Sequence, residues 1–287
     1  MPTSNSLTNP IGHLAADHPG LVRVARVGWF AKGAVYVIAG VLSLLVAAQA
    51  SGWSKSATAG AQEASPTGAL KTVAGRTGGP LLLVVLAVGL SFYALWRVVS
   101  AFLPGGTDAK AWAKRIGFVV SAVLYVSFAV TALSLSKGTS PAATNGNATV
   151  AKTSGGVLQH SGGRLAIGAV GVIVIVVGLY RMSKGLKKDV ADELDMSSVS
   201  APRRRVLVRL GSVGEIGRGV GIALIGYFLL RSAVTYDANQ ATGLDGALRV
   251  LVTKTGGTLV VMLVGLGFVA YGLFCIATFT HRRLEAA

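Results

Sequence analysis

Five charged residues fall inside or at the ends of long apolar blocks, where charge is costly: Lys32, Arg97, Arg181, Glu215 and Arg218. Lys32 and Arg218 are equivalent positions of an internal repeat, each about one to two turns inside its block. Glu215 precedes Arg218 by three residues, so the two share one helical face. Arg97 and Arg181 close two further blocks. The chemistry open to this set is electrostatic. A basic ring near the cytoplasmic side would bind an anion or a lipid headgroup. The simpler reading is that these long side chains snorkel to the inner interface.

The same inventory excludes other chemistry. Proton- or ion-coupled transport draws on carboxylates at mid-membrane, and Glu215, the only acid within an apolar block, lies near one end. The sequence has no serine–histidine pair, paired carboxylates, phosphate-binding loop or metal-spaced cluster. Catalysis is therefore not expected, and neither a catalytic residue, a metal nor a cofactor is assigned. Cys275, the single cysteine, allows no intrachain disulfide and reads as a packing residue. His13 and His18 have no metal-ligand spacing.

The elements that must position these charges are membrane helices. The 287 residues are 52% hydrophobic and 13% charged, where soluble domains carry about 25% charge, and the mean hydropathy is +0.62. Six apolar blocks cover roughly 27–48, 81–102, 116–135, 165–182, 213–234 and 259–279. Each is near the ~20 residues that cross a bilayer as a helix, the form that satisfies its own backbone in lipid. The expected fold is all-α, a polytopic membrane protein of six transmembrane helices. The string 46–50 resembles a signal-peptidase site, but the first block is a repeat partner of the third and fifth, so it is expected to be retained.

The net charge of +16 reads as cytoplasmic loops beside anionic lipid of the inner leaflet, not as nucleic-acid binding. Lys/Arg concentrate in the N-terminal tail, after the second and fourth blocks and at the C-terminus, most densely at Lys184, Lys187, Lys188, Arg203, Arg204, Arg205 and Arg209. Both termini are accordingly expected in the cytoplasm.

Three copies of one unit supply the spans. An offset of 89 superposes Gly28 on Gly117 and Tyr36 on Tyr125; an offset of 186 superposes Gly28 on Gly214, Lys32-Gly33 on Arg218-Gly219 and Gly40 on Gly226. The second helices align on Gly78-Gly79, Gly162-Gly163 and Gly256-Gly257, which also matches Gly89 with Gly267 and Tyr93 with Tyr271. The organisation is a cytosolic tail (1–22), repeat 1 (23–102), repeat 2 (112–184), a basic cytosolic linker (185–208) and repeat 3 (209–281). Two-helix units all start on one side, so the repeats are parallel. A pseudo-threefold bundle fits the pattern, as does a side-by-side row of hairpins. The middle copy is the most worn, with Ser121-Ala122 in place of a basic residue and glycine. Gly33, Gly40, Gly89, Gly171, Gly178, Gly217, Gly221, Gly226 and Gly267 are read as close-packing positions rather than as a pore or hinge lining.

Between the spans, Gly68-Ala69-Leu70-Lys71 matches Gly246-Ala247-Leu248-Arg249 just before a Gly-Gly. A short interfacial helix and a lead-in turn fit this segment equally well. The polar loop 136–164 is expected to be mobile. Stretch 184–209 fits an amphipathic helix on anionic lipid or a solvated linker.

The triple unit, with its Arg-x-Gly openings, Gly-Ala-Leu-Lys/Arg before Gly-Gly, and Gly…Tyr…Arg second helix, resembles the bacterial domain of unknown function numbered 1206, over about residues 23–281. The resemblance implies three tandem two-helix domains in a membrane; it brings no activity, cofactor or catalytic residue. Mitochondrial carriers also have three two-helix repeats, but their odd helices carry a proline motif that the first, third and fifth blocks here lack. The expected role is that of a bacterial inner-membrane protein with a structural, partner-binding or lipid-binding function. The alternative is a small-solute or anion transporter with a site near the pseudo-axis, which requires a central cavity reached by Lys32, Arg97, Arg181 and Arg218.

Overall fold

The computed structural model describes residues 19–52, 65–102, 109–139, 146–190 and 199–279. Among these residues the chain is helical, without strands. The helices are α1 (Pro19–Ala50), α2 (Pro66–Ala74), α3 (Gly79–Phe102), α4 (Ala109–Ser136), α5 (Gly146–Leu158), α6 (Gly163–Lys187), α7 (Ala201–Thr235), α8 (Leu244–Val252) and α9 (Gly257–Thr278). Six of them, all but α2, α5 and α8, are long and apolar enough to cross a membrane. Each unit is thus a span, a short helix and a second span.

The Gly-Gly pair is the corner of every unit. Gly78, Gly162 and Gly256 take positive φ of 76°, 86° and 76°, which glycine adopts without steric cost. The next glycine starts the second span hard against the short helix. A Cβ on Gly79, Gly163 or Gly257 would lie 2.0, 1.8 or 1.7 Å from the carbonyl oxygen of Val73, Val157 or Leu251. No other residue fits there. Ser65 caps α2 by accepting from the Gly68 N–H at 3.1 Å, with Pro66 at the first turn.

The two Gly-Ala-Leu segments therefore lie in short helices, α2 and α8. The loop 136–164 is not uniformly irregular: its 146–158 portion is α5, the counterpart of α2 and α8, packed against α6 and α8. Helix α1 begins at Pro19, inside the expected tail, and α7 begins at Ala201, so Arg203–Arg209 ride on a helical extension of the fifth span. Residues 1–18 with His13 and His18, residues 191–198 of the linker, and His281 lie outside the described residues.

The spans wrap into a ring that stays open between α4 and α6. The second span of each unit packs on the first span of the next: α3 on α4, α6 on α7, and α9 on α1. A row of hairpins would leave the last of these unmade. Two seams are stitched by glycines seven residues apart. Gly33 and Gly40 of α1 face Gly272 and Gly265 of α9, with added Cβ atoms 2.8 Å from Gly272 O and 2.7 Å from Gly265 O. Their counterparts Gly219 and Gly226 of α7 face Gly178 and Gly171 of α6 at 2.6 and 2.8 Å. In the α3–α4 seam the equivalent positions are Ala87, Ala94, Ala122 and Ala129, all buried. Small residues let backbones touch where lipid offers no hydrophobic drive for association. Gly221 differs: its nearest neighbours are side-chain atoms, 3.3 Å away on Leu244.

Within units the pattern breaks once. In repeat 1, Gly28 lies against the backbone of Tyr93 and Gly89 against Ala31; in repeat 3, Gly214 lies against Tyr271 and Gly217 against Gly267. In repeat 2 nothing comes within 4 Å of a Cβ on Gly117. Val120 and Ile173, the counterparts of the Ala31–Gly89 and Gly217–Gly267 pairs, are 54% and 60% exposed. Branched side chains at both positions preclude the close crossing, and α6 sides with α7, leaving a gap beside α4.

Candidate functional site

The ring encloses a basic, aromatic centre. Lys32 on α1 is 2% exposed. Its Nζ donates to Tyr93 Oη at 2.9 Å and lies 4.3 to 5.5 Å from the ring centroids of Trp29, Tyr93, Tyr271 and Tyr125. Arg97 Nε donates to the same hydroxyl at 2.8 Å. Arg218 on α7 is 8% exposed, with its guanidinium 4.0 Å over Tyr271 and 5.1 Å over Tyr36. Glu215 accepts from Arg218 through Oε1 and from Arg181 through Oε2, both at 3.0 Å. Edge-on contacts of Tyr93 with Trp29 and Tyr125, and of Tyr36 with Tyr271, hold the rings in place.

All five charged residues singled out from the sequence therefore belong to one connected cluster, running Arg97–Tyr93–Lys32–Tyr271–Arg218–Glu215–Arg181. Lys32 and Arg218 do not snorkel. They turn inward, because the helix seams direct their faces to the axis and aromatic faces receive the charge. A desolvated cation–π contact contributes up to ~2 kcal/mol, against several kcal/mol for burying an ion. Arg97 and Arg181 remain part-exposed. The residues missed from sequence are the tyrosines themselves. Their signal was present in the repeat, which pairs Tyr36 with Tyr125 and Tyr93 with Tyr271.

Above this cluster, toward the short helices, lies a cavity of about 290 Å³. Tyr36 and Arg218 form its deep end, Leu124, Phe128, Ile222 and Phe268 its sides, and Ser65 and Asp245 its short-helix end. Lys32, Arg97 and Arg181 do not line it. Arg218 Nε is a fully buried donor without a partner among the described residues, and so is Arg181 Nε. The cluster thus holds one buried carboxylate and four cationic side chains, and Arg218 borders an apolar chamber. Among the described residues there is no group of three or more metal-ligating side chains.

Six apolar spans in three span–helix–span units, closed around a buried basic centre, define an integral multi-pass membrane protein built by internal triplication. The chain belongs to the family described as Domain of Unknown Function (DUF1206), which matches residues 27–103, 116–188 and 213–278. It is also similar to the Uncharacterized protein YxxB of Bacillus subtilis (strain 168), 31% identical over 261 residues that make up 90% of each chain. No solved structure matches.

Proposed function

We propose that this protein is a bacterial inner-membrane protein, with both termini cytoplasmic, that binds anionic lipid at its pseudo-threefold axis and performs no catalysis. The observation that carries this reading is Arg218, buried at the end of an apolar cavity with its Nε unpartnered. A charge-assisted hydrogen bond from the Arg218 guanidinium to an acidic group in that cavity offsets the cationic excess. The alternative, transport of a small anion across the membrane, draws on the same cavity. It is disfavoured because the axis beyond Arg218 is filled by Lys32, Trp29, Tyr93 and Tyr125, all buried.

Native mass spectrometry of the purified protein, titrated with anionic and zwitterionic single-chain lysophospholipids, tests the reading. Retention of anionic lipid is expected, with a roughly tenfold or greater loss, about 1.4 kcal/mol or more, in the Glu215→Gln/Arg218→Gln variant, which leaves no carboxylate stranded. Equal retention of both lipid types, or by both proteins, refutes it. Orientation is checked by impermeant thiol labelling of Ser136→Cys and Arg203→Cys in a Cys275→Ala background. From outside, reagent is expected to reach position 136 and not 203.

A further inference from the structure

We infer that the axial cavity is loaded sideways from the lipid layer, through the slot between α4 and α6, and that its ligand is a single-chain amphiphile with one acidic head. The inference rests on the anion-binding reading of Arg218 and adds the route and the ligand class.

The slot is a departure from the molecule's own symmetry. Repeats 1 and 3 close the equivalent place with Ala31 on Gly89 and Gly217 on Gly267. Repeat 2 has Val120 and Ile173 there, both exposed, and open space at Gly117. The cavity meets the slot on its α4 side, and no residue of α6 lines it. Leu124 lies one turn beyond Val120 on α4, lines the cavity, and is 51% exposed. A molecule lying against α4 in the bilayer therefore borders the chamber that ends at Arg218.

The lining selects the occupant. Close helix docking in lipid needs small residues, whereas the slot presents Val120, Val123, Ile173, Val176 and Val177, all exposed. Such branched surfaces suit a hydrocarbon chain better than a second helix. The cavity sides are apolar as well, which disfavours a hydrated inorganic ion. At about 290 Å³ the cavity sits at the lower end of ligand pockets, ~300–1,000 Å³, so it takes one chain segment rather than a whole diacyl lipid. The Nη1 of Arg218 donates to Glu215; the guanidinium has further N–H donors, and its side chain borders the cavity where an acidic head would sit.

The experiment uses the full chain reconstituted in vesicles that contain a diazirine-bearing long-chain carboxylic acid. After photolysis, labelled peptides are mapped by mass spectrometry. Label is expected on the segments that hold Leu124 and Ile222. Filling the slot with Val120→Trp/Ile173→Trp is expected to lower that label roughly tenfold, a change of about 1.4 kcal/mol in apparent binding. Val126→Trp, also at an exposed position of α4, serves as the control and leaves it unchanged. Val123→Trp, three residues from Val120 and on its face, gives the same test if the double variant does not fold. Glu215→Gln/Arg218→Gln abolishes the cavity label. Should the slot variants label fully while Glu215→Gln/Arg218→Gln does not, the lateral route is wrong and the site stands. Indifference to both sets overturns the site as well. Equal labelling by the long-chain alcohol analogue overturns the acidic ligand class.

Discussion

Gly28, Gly117 and Gly214 occupy one position of the repeat, yet a methyl group added at each meets a different environment. At Gly28 the new Cβ falls 2.7 Å from Tyr93 N and 2.8 Å from its Cα. At Gly214 it falls 2.6 Å from Tyr271 Cα. Carbon atoms rest at ~3.5–4.0 Å, so α1 and α3, or α7 and α9, must part by about an ångström. The obstructing atoms are backbone and cannot rotate away. Overpacking of this kind costs ~1–3 kcal/mol, partly offset by the ~0.5–1 kcal/mol by which alanine exceeds glycine in a helix. A net loss of roughly 1–2 kcal/mol is expected at both sites. At Gly117 there is no obstruction within 4 Å, and Gly117→Ala is expected to stabilise by the propensity gain alone, ~0.5–1 kcal/mol. The measurement is unfolding in mixed micelles by added SDS, followed through tryptophan fluorescence. A spread of about 2–3 kcal/mol between Gly117→Ala and the other two is expected from these estimates. If Gly117→Ala is as harmful as its counterparts, α4 and α6 do cross closely and the open middle unit is wrong. If all three are neutral, backbone contact does not set these crossings.

Two further outcomes follow from the charges. Glu215→Gln leaves Arg181 and Arg218 without their shared carboxylate. The Arg218 leg dominates, because both side chains are about nine-tenths buried and breaking such a pair costs ~3–5 kcal/mol; the Arg181 leg, with a third of its side chain exposed, adds no more than ~1 kcal/mol. In the same SDS assay, Glu215→Gln/Arg218→Gln is expected to recover most of the loss, and simple additivity of the two single changes would show that the pair is not coupled. Outside the membrane, the Asn239 backbone N–H donates to Asp237 at 2.9 Å and holds that carboxyl below its usual value. Its folded pKa is depressed, so its stabilisation is complete above the ordinary aspartate range and is lost as pH falls through the lower folded value. Hydrogen exchange at 238–241, compared at matched intrinsic rates, is expected to quicken on acidification, and Asp237→Asn is expected to remove that dependence.

Much of this was legible in one dimension. Spans follow from apolar length, because a bilayer has a fixed thickness and accepts only self-satisfied backbones. The Gly-Gly corners and seven-residue glycine spacings show as coincidences between copies, since equivalent geometry demands equivalent residues. The charged set was legible too, but not its fate. Length and charge pattern suggested snorkelling for Lys32 and Arg218, and only the packed ring shows aromatic faces waiting on the axis side of those helices. The short helix α5 was hidden because its sequence is polar and glycine-containing, and its place comes from contacts with α6 and α8.

The sequence by itself determined a six-span protein of three parallel units, the corner of each unit and the small-residue faces able to touch. What only the tertiary structure decided is which faces do touch. Lipid is as apolar as leucine, so solvent does not select among helix partners; fit between backbones does. That choice turns units head to tail, closing α9 on α1. It also leaves α4 and α6 apart, because Val120 and Ile173 stand where the other copies have alanine and glycine. The buried lysine, the half-satisfied arginine and the chamber beside it are consequences of that closure.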